Sequence, residues 1–231
     1  MMNPVEKEIL SLLKDSARSR SAHQVFGDAC EMFFNAISKN MAMNAEEAET
    51  REKAYMRVVE TYTSRNEHDI IREIFPKLLA LFTMEIQKDP RDLFGTIAAE
   101  LSALSSEMGQ FYTPTSISEL MAGLTLPSEE EVSKIVEENG YISVCDPASG
   151  SGSTIIGLFR NLSSFKENFD IVANLYVETT DLSPLAFHMC YVQLSLLSIP
   201  AKVIYGNTLT LEVFDHAYTP AFPKHYESRS K

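Results

Sequence analysis

Three short apolar runs, Tyr141 to Cys145, Ile171 to Val177 and Ala201 to Tyr205, are separated by two helix-like stretches, Ser153 to Leu162 and Pro184 to Ser198. This alternation leaves few topologies open. Strands joined through helices pair in parallel, connect with right-handed crossovers and build an α/β sheet. Such a sheet binds ligands in the crevice at the carboxyl ends of its strands. The second helix carries its own start signal, with Ser183 as N-cap and Pro184 at the first helical position. It is apolar nearly all round, which predicts burial against the sheet. The first strand passes to the first helix through Asp146-Pro147-Ala148-Ser149-Gly150-Ser151-Gly152-Ser153, the sharpest local feature of the chain.

The first 107 residues follow a different pattern. Glu6 to Ser16, Ala22 to Met43, Ala45 to Thr63 and Glu67 to Gln87 carry apolar positions at three- and four-residue spacing, as in Val25, Ala29, Met32, Phe33 and Ile37. Pro76 predicts a kink in the fourth of these, and Asp89-Pro90 starts a fifth. Ser116 to Leu124 and Ser128 to Glu138 add two more helices before the first strand. The acidic run Glu46-Glu47-Ala48-Glu49 opens a helix, where the dipole favours carboxylates, and reads as a solvated face. The resulting division is a helical region over 1–108 and an α/β domain over 109–231.

Charge and composition narrow the partners. The 231 residues include 20 Lys and Arg against 32 Asp and Glu, and both halves are acidic, net −5 up to residue 110 and −7 after it. Neither half is the basic patch that nucleic-acid binding usually shows, so any DNA contact must be local or supplied by another chain. No apolar stretch approaches the roughly 18 residues of a membrane span. Cys30, Cys145 and Cys190 are odd in number, widely spaced and set in apolar runs, so they read as reduced core thiols of a cytoplasmic protein. His23, His68, His188, His216 and His225 show no ligand spacing, and no metal is expected.

At the glycine turn, backbone without side chains lets a ligand approach, and the helix start offers free N–H groups. The dinucleotide pattern needs Gly or Ala where Ile155 stands, and a phosphate loop starting at Gly152 needs Lys where Leu158 stands. An acid opening the turn is a poor neighbour for pyrophosphate, whereas it accepts a hydrogen bond from an ammonium group. The expected ligand is zwitterionic.

Four segments in order, Gly109-Gln110-Phe111-Tyr112-Thr113-Pro114, Asp146 to Gly152, Asp181-Leu182-Ser183-Pro184 and Gly206-Asn207-Thr208-Leu209, resemble the adenine-N6 DNA methyltransferases, in particular the modification subunit of type I restriction systems. The resemblance covers residues 109 to about 210. It implies a shortened class I, Rossmann-like, S-adenosylmethionine-dependent methyltransferase fold behind an all-helical region. By this resemblance Tyr112 and Thr113 lie at the methionine carboxylate, and Asp146, Ala148, Gly150 and Gly152 line the methionine end. Asp181 takes the ribose hydroxyls, with Leu182 beside it, and Asn207 lies near the adenine. The family usually has Asp where this chain has Asn207, which keeps an acceptor and loses a charge, and commonly Cys at Ser149.

The family's Asn-Pro-Pro-Phe tetrapeptide, which aligns the target amine and stacks on a flipped base, does not occur here. The nearest segment, Phe214 to Phe222, resembles a degenerate version with Thr219, Pro220 and Phe222 as candidate catalytic residues. Nine residues follow Phe222, too few for later strands or a target-recognition domain, so a sheet edge is expected to stay open. The expected function is methyl transfer to adenine in DNA, exercised within a complex. The alternative is an inactive relative acting as an interaction or regulatory subunit of a restriction-modification or anti-restriction system. In either case the expected partner is a second copy of the chain or a restriction-modification subunit.

Overall fold

The computed structural model describes residues 2–104, 115–165 and 169–223. Five helices come first: α1 (Pro4–Asp15), α2 (Ala22–Ser38), α3 (Ala45–Thr63), α4 (Phe75–Lys88) and α5 (Leu93–Leu104). Capping boxes start two of them. The Asn3 side chain accepts from the Glu6 amide at 2.9 Å while Glu6 accepts from the Asn3 amide at 2.8 Å, and Ser21 and Gln24 do the same for α2. Pro76 stands at the start of α4, where a residue without an amide hydrogen cannot extend the preceding ladder. The chain answers with a π turn over Ile70–Ile74 before α4 begins. The second helix is shorter than its periodicity suggests, ending at Ser38 in a 3-10 turn over Lys39–Met41. Phe26, Phe82 and Phe94 form the aromatic centre of this layer, the last two stacked at 4.0 Å.

Helices α6 (Thr115–Thr125) and α7 (Glu129–Asn139) lead to β1 (Ile142–Asp146), followed by α8 (Ser153–Ser163), α9 (Ile171–Asn174), β2 (Leu175–Asp181), α10 (Pro184–Leu196), β3 (Ala201–Asn207) and β4 (Glu212–Tyr218). The sheet order is β1-β2-β3-β4, with the first three strands parallel and β4 antiparallel to β3. The apolar run from Ile171 is split. Asp170 caps a single helical turn by accepting from the Val172 and Ala173 amides, so the strand begins only at Leu175. The fourth strand has no helix before it. Instead Asn207 Oδ1 accepts from the Leu209 and Thr210 amides at 3.0 and 3.3 Å and turns the chain back on itself. Gly206 is required at the base of this hairpin, since a Cβ there would overlap the Glu212 carbonyl oxygen.

Helix α10 lies between the sheet and α2, and its Phe187, Met189, Cys190, Tyr191, Val192 and Leu194 are all buried. Phe34 of α2 meets Phe187 at 4.7 Å and Tyr191 at 4.9 Å, so one apolar core runs from the helical layer to the strands. On the sheet, Leu175, Val177, Thr179, Ala201 and Val203 point into that core. Their alternates Tyr176, Glu178, Thr180 and Lys202 are only half-buried. Cys145 is exposed, which corrects its reading as a core thiol: β1 is an edge strand, and alternate residues of a strand face opposite ways. Cys30 and Cys190 are buried. Among the described residues no helix is long and apolar enough to cross a membrane.

Candidate functional site

Parallel pairing brings Asp146, Asp181 and Asn207 to the same end of the sheet, as the last residues of β1, β2 and β3. Asp181 is the structural hinge of this end. Its Oδ2 accepts from the Gly150 amide and its Oδ1 from the Ser183 amide, both at 2.8 Å, so one carboxylate fixes the glycine turn to the start of α10. The Ser149 amide donates to the Thr180 carbonyl at 3.1 Å, and the Thr208 hydroxyl donates to the Pro147 carbonyl at 2.7 Å. The turn is thus held from β2 and from the β3–β4 hairpin. Asp146 accepts from the Ala148 amide at 3.1 Å. Burial pushes its carboxyl above the ordinary range, the Ala148 bond opposes this, and the neighbouring Asp181 charge adds to it.

The two glycines do different jobs. Both take the left-handed backbone that favours glycine, Gly150 at φ 56° and Gly152 at φ 94°. A Cβ on Gly152 would come within 3.1 Å of Cys190 Sγ, so this glycine lets the turn pack down on α10. A Cβ on Gly150 would meet nothing within 4 Å. Gly150 therefore presents bare backbone to open space, beside the exposed Ala148 and Leu182 and the half-buried Asp146 and Asp181. A cavity of about 840 Å³ opens beside Asp146, Ala148 and Thr154 and runs between α7, α8 and β1, lined by Val132, Ile135, Val144 and Leu158. It borders this cradle without including Gly150, Asp181 or Asn207.

Other expected residues fall elsewhere. Tyr112 and Thr113 lie outside the described residues. Asn207 is at the site, but its Oδ1 already serves the hairpin turn, which leaves its amide nitrogen for a ligand. Thr219, Pro220 and Phe222 lie at the opposite end of the sheet from Asp146, Asp181 and Asn207. Because β4 runs antiparallel, it delivers them to the amino end of β3, where the Thr219 amide donates to the Ala201 carbonyl at 2.9 Å. The length of β3 separates them from Asn207, roughly 20 Å at about 3.3 Å per residue. Thr219 is fully buried, its hydroxyl donating to the Ile199 carbonyl at 2.7 Å and accepting from the Ala201 amide at 2.9 Å. Phe222 stacks on Tyr218 at 4.4 Å. Among the described residues no group of three or more His, Cys, Asp or Glu could hold a metal ion.

A parallel strand pair with a glycine turn after the first strand and an acid ending each strand defines a methyltransferase-like mixed α/β protein, and residues 92–222 match the N-6 DNA Methylase family, to which this chain belongs. It is 26% identical over 215 residues to the type I restriction enzyme MjaVIII methylase subunit of Methanocaldococcus jannaschii, an alignment covering 90% of this chain and 34% of that protein. The chain thus spans about a third of that relative's length. No solved structure matches it. The family match starts at Asp92, inside the helical segment.

Proposed function

We propose that the carboxyl ends of β1, β2 and β3 bind S-adenosylmethionine, and that the chain serves adenine-N6 methylation of DNA as part of a larger cytoplasmic complex of the type I modification kind. On this reading the 109–231 region is a shortened class I, Rossmann-like domain preceded by the helical region 1–108. Asp146 accepts from the methionine ammonium, with Tyr112 and Thr113 at the carboxylate and Ala148 and Gly150 along the methionine chain. Asp181 keeps free lone pairs for the ribose diol, since a carboxylate accepts at about four positions and two are used here. Leu182 and the Asn207 amide nitrogen flank the adenine. The bound cofactor supplies an electrophilic methyl group; the protein holds and orients it.

The observation that carries this reading is Gly150, a left-handed residue with open space where a side chain would stand and with its amide held by the Asp181 carboxylate. Titration calorimetry with S-adenosylmethionine on the wild-type chain is expected to show binding, and Gly150→Leu is expected to abolish it while the chain stays folded, with a melting temperature lowered by the roughly 1–2 kcal/mol that a side chain costs in left-handed backbone. Folded wild-type protein that gives no heat overturns the cofactor reading. A second reading, an inactive relative working as an interaction or regulatory subunit, is favoured by the position of Thr219, Pro220 and Phe222 at the far end of the sheet.

A further inference from the structure

Directly behind the glycine turn lies a polar cluster that neither the motifs nor the family match assigns. Asp92, immediately before α5, is 4% exposed; Ser151 of the turn is 3% exposed and Gln193 of α10 is 0% exposed. Ser151 Oγ donates to Asp92 Oδ2 at 2.5 Å. Gln193 Nε2 donates to Asp92 Oδ1 at 2.9 Å and to the Ser151 carbonyl at 2.8 Å. The Gly95 amide donates to Asp92 Oδ1 at 2.8 Å, and the Phe94 amide donates to Gln193 Oε1 at 3.2 Å. Gly95 has no room for a side chain, because a Cβ there would overlap Asp92 Oδ2 and stand 2.5 Å from Ser151 Oγ.

Burying a carboxylate without a cation is expensive unless every oxygen is satisfied. Among the described residues no ion pair joins Asp92 to a basic side chain. Capping α5 needs only the bond to Gly95, which works equally well at a surface. The bonds to Ser151 and Gln193 do something else: they fix Ser151, the residue between Gly150 and Gly152, from both its side chain and its carbonyl. The two left-handed glycines are therefore set from below by a residue of the helical segment, while Asp181 holds the Gly150 amide from the other side. We propose that Asp92 is the positioning residue of the glycine turn, holding Gly150 through Ser151 in the conformation that receives the methionine end of the cofactor. This rests on the S-adenosylmethionine reading for its ligand, and on the cluster geometry alone for its effect on the turn.

The test uses the full chain, the dissociation constant for S-adenosylmethionine from calorimetry, and hydrogen exchange of the amides of residues 150–153. Asp92→Ala and Ser151→Ala are each expected to weaken binding roughly tenfold or more, and the double variant to bind no more weakly than the poorer single one, because coupled neighbours are not additive. Asp92→Asn keeps both acceptor bonds, can donate to Ser151 Oγ, and is expected to stay within about threefold of wild type. In the two alanine variants exchange at 150–153 is expected to quicken more than in the core of α10. Variants that melt earlier yet bind as wild type, or single effects that multiply in the double variant, overturn the proposal. Should Asp92→Ala fail to fold, Ser151→Ala, which removes one hydroxyl, decides it. Should wild type bind no S-adenosylmethionine, the cofactor reading falls, and the exchange result alone upholds or overturns the positioning role.

Discussion

His188 sits where the helical layer meets α10, stacked on Phe34 at 4.8 Å and near Phe187 at 5.5 Å. Burial pushes its imidazole down from 6.5 to about 4; the Asp215 charge opposes this and the Arg51 and Arg57 charges reinforce it. The folded state therefore refuses a proton that the unfolded chain accepts. Stability is complete above pH 6.5 and is lost as pH falls toward 4, by up to ~3 kcal/mol at about 1.4 kcal/mol per unit. His188→Phe, which keeps the stack, is expected to flatten this decline in urea unfolding between pH 7 and 4.5; an unchanged slope refutes it. Thr219 makes a second residue-scale case. Its hydroxyl joins the Ala201 amide to the Ile199 carbonyl inside the core, so Thr219→Val leaves both unpaired and is expected to cost about 1–3 kcal/mol. Denaturant midpoints at constant slope measure that loss, and a neutral outcome means water reaches the pair.

At the scale of elements, β1, β2 and β3 are legible because a helical stretch precedes each apolar run and two of those helices separate the three runs, the second with a local start signal at Ser183-Pro184. The fourth strand is not, because Phe214 to Phe222 resembles a degenerate catalytic segment and carries no strand signal of its own. What sets its direction is the Asn207 turn and the side-chain-free Gly206, a backbone event with little trace in periodicity. That one reversal sets Thr219 and Phe222 at the end of the sheet opposite Asp146, Asp181 and Asn207. The site shows the same division. Asp146, Gly150 and Asp181 lie in local motifs, while the Asp92 bonds to Ser151 and Gln193 span 59 and 101 residues and leave no contiguous signal. The hairpin gives an element-scale prediction. Gly206→Ala sets a Cβ against the Glu212 carbonyl and is expected to destabilise β3–β4 pairing by about 1–3 kcal/mol. Hydrogen exchange should then quicken across Glu212–Tyr218 before it does in β1 and β2, whereas uniform quickening would mean that the sheet opens as one unit.

Over the whole molecule, the helical segment is joined to the sheet by a part-buried ion pair as well as by the apolar core. Arg51 of α3, almost fully buried, pairs with Asp215 of β4, donates to the His216 carbonyl at 2.9 Å and lies 4.8 Å over the Phe34 ring. These contacts tie β4 to the helical layer while Glu212, Val213, Phe214 and His216 stay exposed, and β1 at the other edge pairs only with β2 among the described residues. Between residues 111 and 223 the basic residues are Lys134, Arg160, Lys166 and Lys202, against a net charge of −12 for the chain. Phosphate contacts supply most of the non-specific affinity for DNA, so this surface repels duplex rather than gathering it. The proposed cofactor site and the aromatic Phe222 also stand at opposite ends of β3, so on that proposal no described group both meets the donor and aligns a target amine. The expected outcome is that the purified 231-residue chain binds S-adenosylmethionine yet transfers no labelled methyl group to adenine-containing DNA. Misplacing one aligning interaction already costs about 10²–10³ in rate, and here the distance is far larger. Thr219→Asn is expected to leave that result unchanged and to lower stability, since a larger amide must enter a filled core. Transfer should appear only with a partner that brings an aligning amide and a basic DNA surface to the carboxyl ends of the strands. Robust, sequence-specific methylation by the chain alone would show instead that residues outside the described segments complete the site, and would overturn the inactive-subunit reading.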